Sequence, residues 1–192
     1  MNRLIFASSN KNKFLEISKV LTDIELMTLK DIGYNNNIVE SGLTLKENAL
    51  IKCQVVYKKY NLPCISDDSG LEVIALHGRP GALSARYAGQ NASAMENMKK
   101  LILEMKDLKD RRARFRTIIC LKYGAKEFFF EGIVDGAISH HIIGTEGFGY
   151  DPVFIPDGYG KTFAELSLSQ KNTISHRIQA IKKLEKYLKL NT

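Results

Sequence analysis

The chain has 192 residues, enough for one domain with a sizeable core. Its content of 44% apolar and 26% charged residues is ordinary for a globular protein, and no apolar run nears the roughly 18 residues of a membrane span. The net charge of +7 suits anionic partners, but the lysines are interleaved with Glu and Asp along helix-like stretches. That pattern favours solvated faces over a nucleic-acid surface.

In chain order, residues 3–7 (RLIFA) form a short apolar run and predict a buried strand. The apolar stretch at the start is too short for a signal-peptide core, so a cytoplasmic protein is expected. Phe14, Ile17 and Leu21 then recur at helical spacing and predict a helix over 11–21, capped by Ser8, Ser9 or Asn10. Residues 23–29 read as a strand and 31–42 as an Asn- and Gly-rich loop. Residues 44–60 are the clearest helix, with Thr44 and Glu47 in capping-box spacing. A strand over 63–66 leads into Asp67 and Asp68, Ser69-Gly70 turns the chain, and 71–76 resumes as a strand. An irregular loop follows, then a helix over 93–106 with Ser93 and Glu96 as its capping box. Two strand-like runs flank Gly124 as a hairpin. Ile174, Ile178, Ile181 and Leu188 predict a closing helix. This order predicts a single α/β domain over 1–192 with a mixed central sheet.

Cys53, Cys64 and Cys120 are odd in number and widely spaced, as buried reduced thiols are, and the four histidines show no metal-ligand spacing. Four places could carry chemistry. Asn10 and Lys13 sit where a strand feeds a helix, a natural seat for phosphate, although Lys13 reads equally well as a solvated lysine. Asp67 and Asp68 are neighbouring carboxylates whose repulsion a divalent cation would relieve, and Glu40 and Glu47 lie near a helix start. The same DDSG is also an ordinary Asx turn. Phe148, Gly149, Tyr150 and Asp151 form a Gly-rich aromatic bend that could stack on a base or simply fill the core. Lys171, His176 and Arg177 add three donors within seven residues, though His176 and Arg177 also suit an exposed helix face.

The segments SSNKNK, ESGLTLKENA, SDDSGLEV, GRPGALSARYAG, GFGYDPVF and KNTISHR together resemble the inosine triphosphate pyrophosphatase family, in order from Leu4 to about Leu188. The resemblance implies Mg²⁺-dependent hydrolysis of ITP, dITP and XTP to the monophosphate and pyrophosphate. It implies a long mixed sheet flanked by helices, two lobes with an active-site cleft between them, and a homodimer. By the same resemblance Ser8, Ser9, Asn10, Lys11, Asn12 and Lys13 match the substrate loop, and Glu40 and Asp68 the Mg²⁺ positions. Asp68 also matches the proton acceptor, and Ser69 a substrate contact. Phe148, Gly149, Tyr150 and Asp151 match the base-binding bend, and Lys171, His176 and Arg177 the remaining nucleotide contacts. Ser9 departs from the family pattern, where Gly is common. A donor such as Arg177 would favour a 6-oxo purine over adenine.

Two other readings compete. One is a related pyrophosphatase for other nucleotides. The other is a basic nucleic-acid-binding protein resting on residues 106–116 (KDLKDRRARFR), whose affinity would depend steeply on salt. Neither accounts for the acid pair, the bend and Arg177 together.

Overall fold

The structure, a computed structural model, describes residues 2–191, the side chain of Leu168 excepted. Its strands are Arg3–Phe6 (β1), Glu25–Met27 (β2), Cys64–Val73 (β3), Arg112–Tyr123 (β4), Lys126–Ile138 (β5) and Phe154–Pro156 (β6). Its α-helices are Lys11–Ser18 (α1), Leu45–Tyr60 (α2), Ala94–Glu104 (α3), Leu168–Ile174 (α4) and His176–Asn191 (α5). The strands form one sheet in the order β2-β1-β3-β4-β5-β6. It is mixed, as expected. β1 pairs in parallel with β2 and with β3, Ile5 opposite both Met27 and Cys64, whereas β5 and β6 are antiparallel. Parallel neighbours need crossovers, and α1 and α2 supply them. Gly136 belongs to the β5–β6 ladder because a Cβ there would lie against the Ile155 carbonyl oxygen, well inside contact distance.

The chain divides into two compact units. Unit 1 is Met1–Asp68, Thr117–Gly132 and Arg177–Thr192, and unit 2 is Ser69–Arg116 and Ile133–His176. Unit 1 packs Leu4, Phe6, Ile65, Ile119 and Leu121 of the sheet against Ile17 of α1 and Ile181 and Leu184 of α5. Unit 2 packs Leu71, Val73, Phe115 and Phe154 against Leu101 of α3 and Phe163. All three cysteines are free and buried in unit 1. Among the described residues no helix is long and apolar enough to cross a membrane.

Four local expectations are corrected. The helix after β1 stops at Ser18, three residues early, and β2 keeps only three residues. Ser69-Gly70 does not turn the chain: β3 runs unbroken for ten residues with Asp67 and Asp68 at its middle. A strand tolerates two acids there because each carboxylate has a cationic partner, so neither needs a turn to reach water. The closing helix is two helices. Ser175, with ψ 135, breaks the helical run, and its N–H caps α4 on the Lys171 carbonyl at 2.8 Å. This resets the helical phase, and His176 and Arg177 become buried instead of exposed.

Candidate functional site

Unit 1 gathers charge around β3. Successive strand residues point to opposite faces, and the two acids have different principal partners. Asp67 Oδ2 accepts from Lys13 Nζ at 3.0 Å and from Arg177 Nε at 3.1 Å. The other end of the same guanidinium is held by Glu16. Asp68 Oδ1 lies 3.4 Å from Lys52 Nζ, which also donates to Glu40 Oε1 at 2.7 Å. Burial alone would raise the Asp67 carboxyl, but Lys13, Arg177 and Lys52 together hold it well below the usual carboxylate range. Burial pushes the Asp68 carboxyl up, against Lys52 and Lys13 and with help from Glu40 and Asp67. Burial also lowers the Lys13 ammonium, whereas at Lys52 the acids Asp68, Asp67 and Glu40 overcome it and raise the pKa. Two adjacent carboxyls are thus driven in opposite directions, which leaves Asp68 the more basic. Asp68 Oδ2 is buried, and no group among the described residues hydrogen-bonds it.

Local sequence builds this cluster. Asn10 is the N-cap of α1, its Oδ1 accepting from the N–H groups of Asn12 at 3.0 Å and Lys13 at 3.2 Å. It settles which of Ser8, Ser9 and Asn10 does the capping, while Ser8 Oγ accepts from Asn10 N at 3.3 Å. No acid stands in the first turn of α1, so the positive end of its dipole is left to the cationic Lys13. Ser9, Asn10, Lys11 and Asn12 are exposed, and Ser8 and Lys13 are half-buried. Thr44 and Glu47 form the expected capping box on α2, so Glu47 serves the helix start. Asn48 Oδ1 accepts from Gly42 N at 2.8 Å and fixes the loop that carries Glu40.

Two residues of the cluster, Lys52 and Glu16, are absent from the sequence-based set. Lys52 had a signal: it interrupts the buried stripe Leu45, Ala49, Cys53, Val56 of α2, and a lysine on an apolar face needs an anionic partner. Glu16 lies one turn beyond Lys13, on the same side of α1.

Unit 2 holds the aromatic bend. Asp151, 3% exposed, accepts on Oδ2 from the Phe148 N–H at 2.7 Å and from Lys171 Nζ at 2.6 Å. Lys171 Nζ also lies 5.0 Å from the Phe148 ring centroid, in cation–π contact. Gly147, at φ +77, passes so close to the Asp151 carboxylate that a side chain would displace it. Tyr150 fills the core of this unit, its OH donating to the Ser84 carbonyl at 2.9 Å. Phe148 and Gly149 are half-buried, as is Ser69 on β3. His176, 5% exposed, stacks on Phe115 with centroids 4.8 Å apart and planes at 16°. The structure therefore brings Asp151, Lys171 and Phe148 together, and separately Asp67, Asp68, Lys13, Glu40 and Arg177. In the basic run, Arg111 donates to the carbonyls of Met105, Ile138 and Ser139, and Arg114 and Arg116 pair with Glu72. Those three arginines are committed to the fold, whereas Lys106, Lys109 and Arg112 are exposed.

Among the described residues no group of three or more His, Cys, Asp or Glu gathers as a metal cage. Glu40 and Asp68 nonetheless fit a hard divalent cation. They share one ammonium, an oxygen of Asp68 has no donor among the described residues, and Mg²⁺ ordinarily takes only one or two carboxylates beside substrate phosphates.

The chain is similar to known proteins over nearly its whole length. The chain is 46% identical to the dITP/XTP pyrophosphatase of Flavobacterium psychrophilum over 97% of its length and 99% of the relative's. It is 47% identical to the dITP/XTP pyrophosphatase of Caldanaerobacter subterraneus over 98% of its length and 96% of that protein's. The solved structure of the Staphylococcus aureus Ham1 protein superposes with a TM-score of 0.93 at 38% identity, covering 100% of both chains. The Ham1 family model matches residues 4–187. With nearly every described residue inside that match, the chain belongs to the Ham1 family.

Proposed function

We propose that the chain is a Mg²⁺-dependent pyrophosphatase of non-standard purine nucleoside triphosphates, converting ITP, dITP and XTP to the monophosphate and pyrophosphate. The observation that carries this reading is the set of half-buried Lys13 and buried Lys52 and Arg177 around the consecutive Asp67 and Asp68. A triphosphate needs cations to hold it, and hydrolysis needs a base to accept a proton from water. Mg²⁺ would be held by Glu40 and Asp68, and when bound it supplies charge neutralisation at the phosphates.

The protein's own groups divide the work. Asp68, the more basic acid, orients water toward the α-phosphorus and accepts its proton. Asp67 stays ionised and fixes the Lys13 ammonium, which faces the phosphates from the first turn of α1. Ser8, Ser9, Asn10, Lys11 and Asn12 form the phosphate loop, and Ser69 adds a contact beside Asp68. The α–β bridging bond breaks, and pyrophosphate leaves. In unit 2, Phe148 and Gly149 take the purine, and the Asp151–Lys171 pair holds their bend in shape. Tyr150 anchors that bend in the core, and His176 stacks on Phe115 of the same unit.

The deciding experiment offers ITP, dITP, XTP, ATP and GTP in parallel with Mg²⁺ and separates pyrophosphate from orthophosphate. Pyrophosphate from the first three, with little turnover of ATP and GTP, is expected. Orthophosphate, or equal turnover of all five, would sink the reading. A cytoplasmic homodimer completes the proposal, with Val39 and Leu43, 75% and 89% exposed, as apolar surface available for association. Sedimentation at micromolar protein tests it, and a monomer mass would refute the dimer.

A further inference from the structure

Beside the phosphate loop, with Ser8, Ser9, Asn10 and Lys11 in its wall, unit 1 has a cavity. Its volume is about 450 Å³, within the range of roughly 300–1,000 Å³ typical of small-molecule sites. Its accessible surface is mainly apolar, with polar residues among those along it. Phe14 and Tyr34 supply aromatic rings, Asn35, Asn36 and Asn37 supply three consecutive amides, and Lys30 supplies an ammonium. A ring matches the face of a nucleobase, an amide with both donor and acceptor matches its edge, and an ammonium matches phosphate. A second cavity of about 140 Å³ is lined by Glu40 and Lys52, and it is too small for a nucleoside. Ser8, Ser9, Asn36 and Asn37 line both cavities. The loop assigned to the polyphosphate is therefore a wall common to the acid–lysine cluster and to a nucleoside-sized chamber.

We propose that this chamber receives the second nucleoside of a dinucleoside polyphosphate. The substrates would then include compounds in which a non-standard purine nucleoside and another nucleoside are joined through four phosphates. This rests on the pyrophosphatase reading and widens its substrate class. The chemistry is unchanged. The water oxygen bonds to the α-phosphorus on the inosine side, and the bond from that phosphorus to the α–β bridging oxygen breaks. That oxygen leaves with the other three phosphates as a nucleoside triphosphate, and the proton of water passes to Asp68 and then to solvent. Inosine-adenosine tetraphosphate plus water thus gives IMP and ATP, with no change of oxidation state.

The test compares this mixed tetraphosphate with ITP on the purified chain with Mg²⁺, using Asn35→Trp to fill the chamber and Lys30→Ala to remove its ammonium. Asn35 and Lys30 line only the larger cavity and are exposed, so both variants should fold. Release of IMP and ATP is expected. Asn35→Trp should raise KM for the tetraphosphate about tenfold while leaving KM for ITP within about twofold, and Lys30→Ala should act in the same direction. Cleavage of ITP without cleavage of the tetraphosphate would overturn this inference alone, as would equal effects of the variants on both substrates. A changed sedimenting mass in Asn35→Trp with no change in KM would overturn it too, and would assign the chamber to contact between copies of the chain. Failure to cleave ITP at all would overturn the reading beneath it.

Discussion

Asp68→Asn is expected to lower kcat for ITP by roughly three orders of magnitude, the scale of a lost general base. The substitution keeps the size of the side chain and its place in β3 but removes the charge and the basicity that burial confers. It also removes one of the two carboxylates that Lys52 bridges, so the Mg²⁺ concentration giving half-maximal activity should rise. Steady-state kinetics across a Mg²⁺ titration, with circular dichroism to confirm folding, would measure both effects. Asp67→Asn is the informative partner. Asp67 is already committed to Lys13 and Arg177, so its loss should disturb phosphate binding and stability more than proton transfer. If Asp67→Asn lost the larger part of kcat and Asp68→Asn kept it, the roles would be reversed.

Arg177→Ala is expected to destabilise the protein by about 3–5 kcal/mol, the scale for removing one partner of a buried ion pair. Arg177 is 2% exposed, and its guanidinium joins Glu16 to Asp67. Truncation leaves two buried carboxylates without that cation. For a chain of this length the melting temperature should fall on the order of 10 °C. Denaturant titration and calorimetry would read the change, and a loss below about 1 kcal/mol would show that the acids find water or other partners instead. Arg177→Lys should recover only part, because one ammonium cannot span both carboxylates as a planar guanidinium does. Arg177 could also act on the base itself. The ratio of ITP to ATP kcat/KM, measured where the variant is folded, separates the two roles. A reduced ratio would place the guanidinium at the 6-oxo group, whereas equal loss on both substrates would confine it to the acid network.

Local chemistry made much of the fold legible. The capping boxes at Thr44 and Ser93 appear where their spacing put them, because a cap depends only on residues within one turn. The apolar run after Asn2 and the long runs on either side of Gly124 became strands for a similar reason, their side-chain pattern leaving few alternatives. The misreadings at Ser69-Gly70 and Ser175 share a different cause. In both places the backbone follows from partners far along the chain. Asp67 is held by Arg177, 110 residues away, and His176 stacks on Phe115.

The same division runs through the candidate site. By itself the sequence determined the α/β class, the polar turn that caps α1, the acid pair and the aromatic bend, since each follows from the pattern of neighbouring residues. Only the tertiary structure decided that Asp67 and Asp68 differ in basicity, that Asp151 and Lys171 hold the bend, and that Glu16 and Lys52 belong to the cluster. Each of those facts depends on burial and on charges brought within about 4 Å, where removal from water makes their interaction strong. Separation along the chain does not encode that proximity. It arises when the strand and the helices pack, and only then does a pair of ordinary aspartates become two groups with different chemistry.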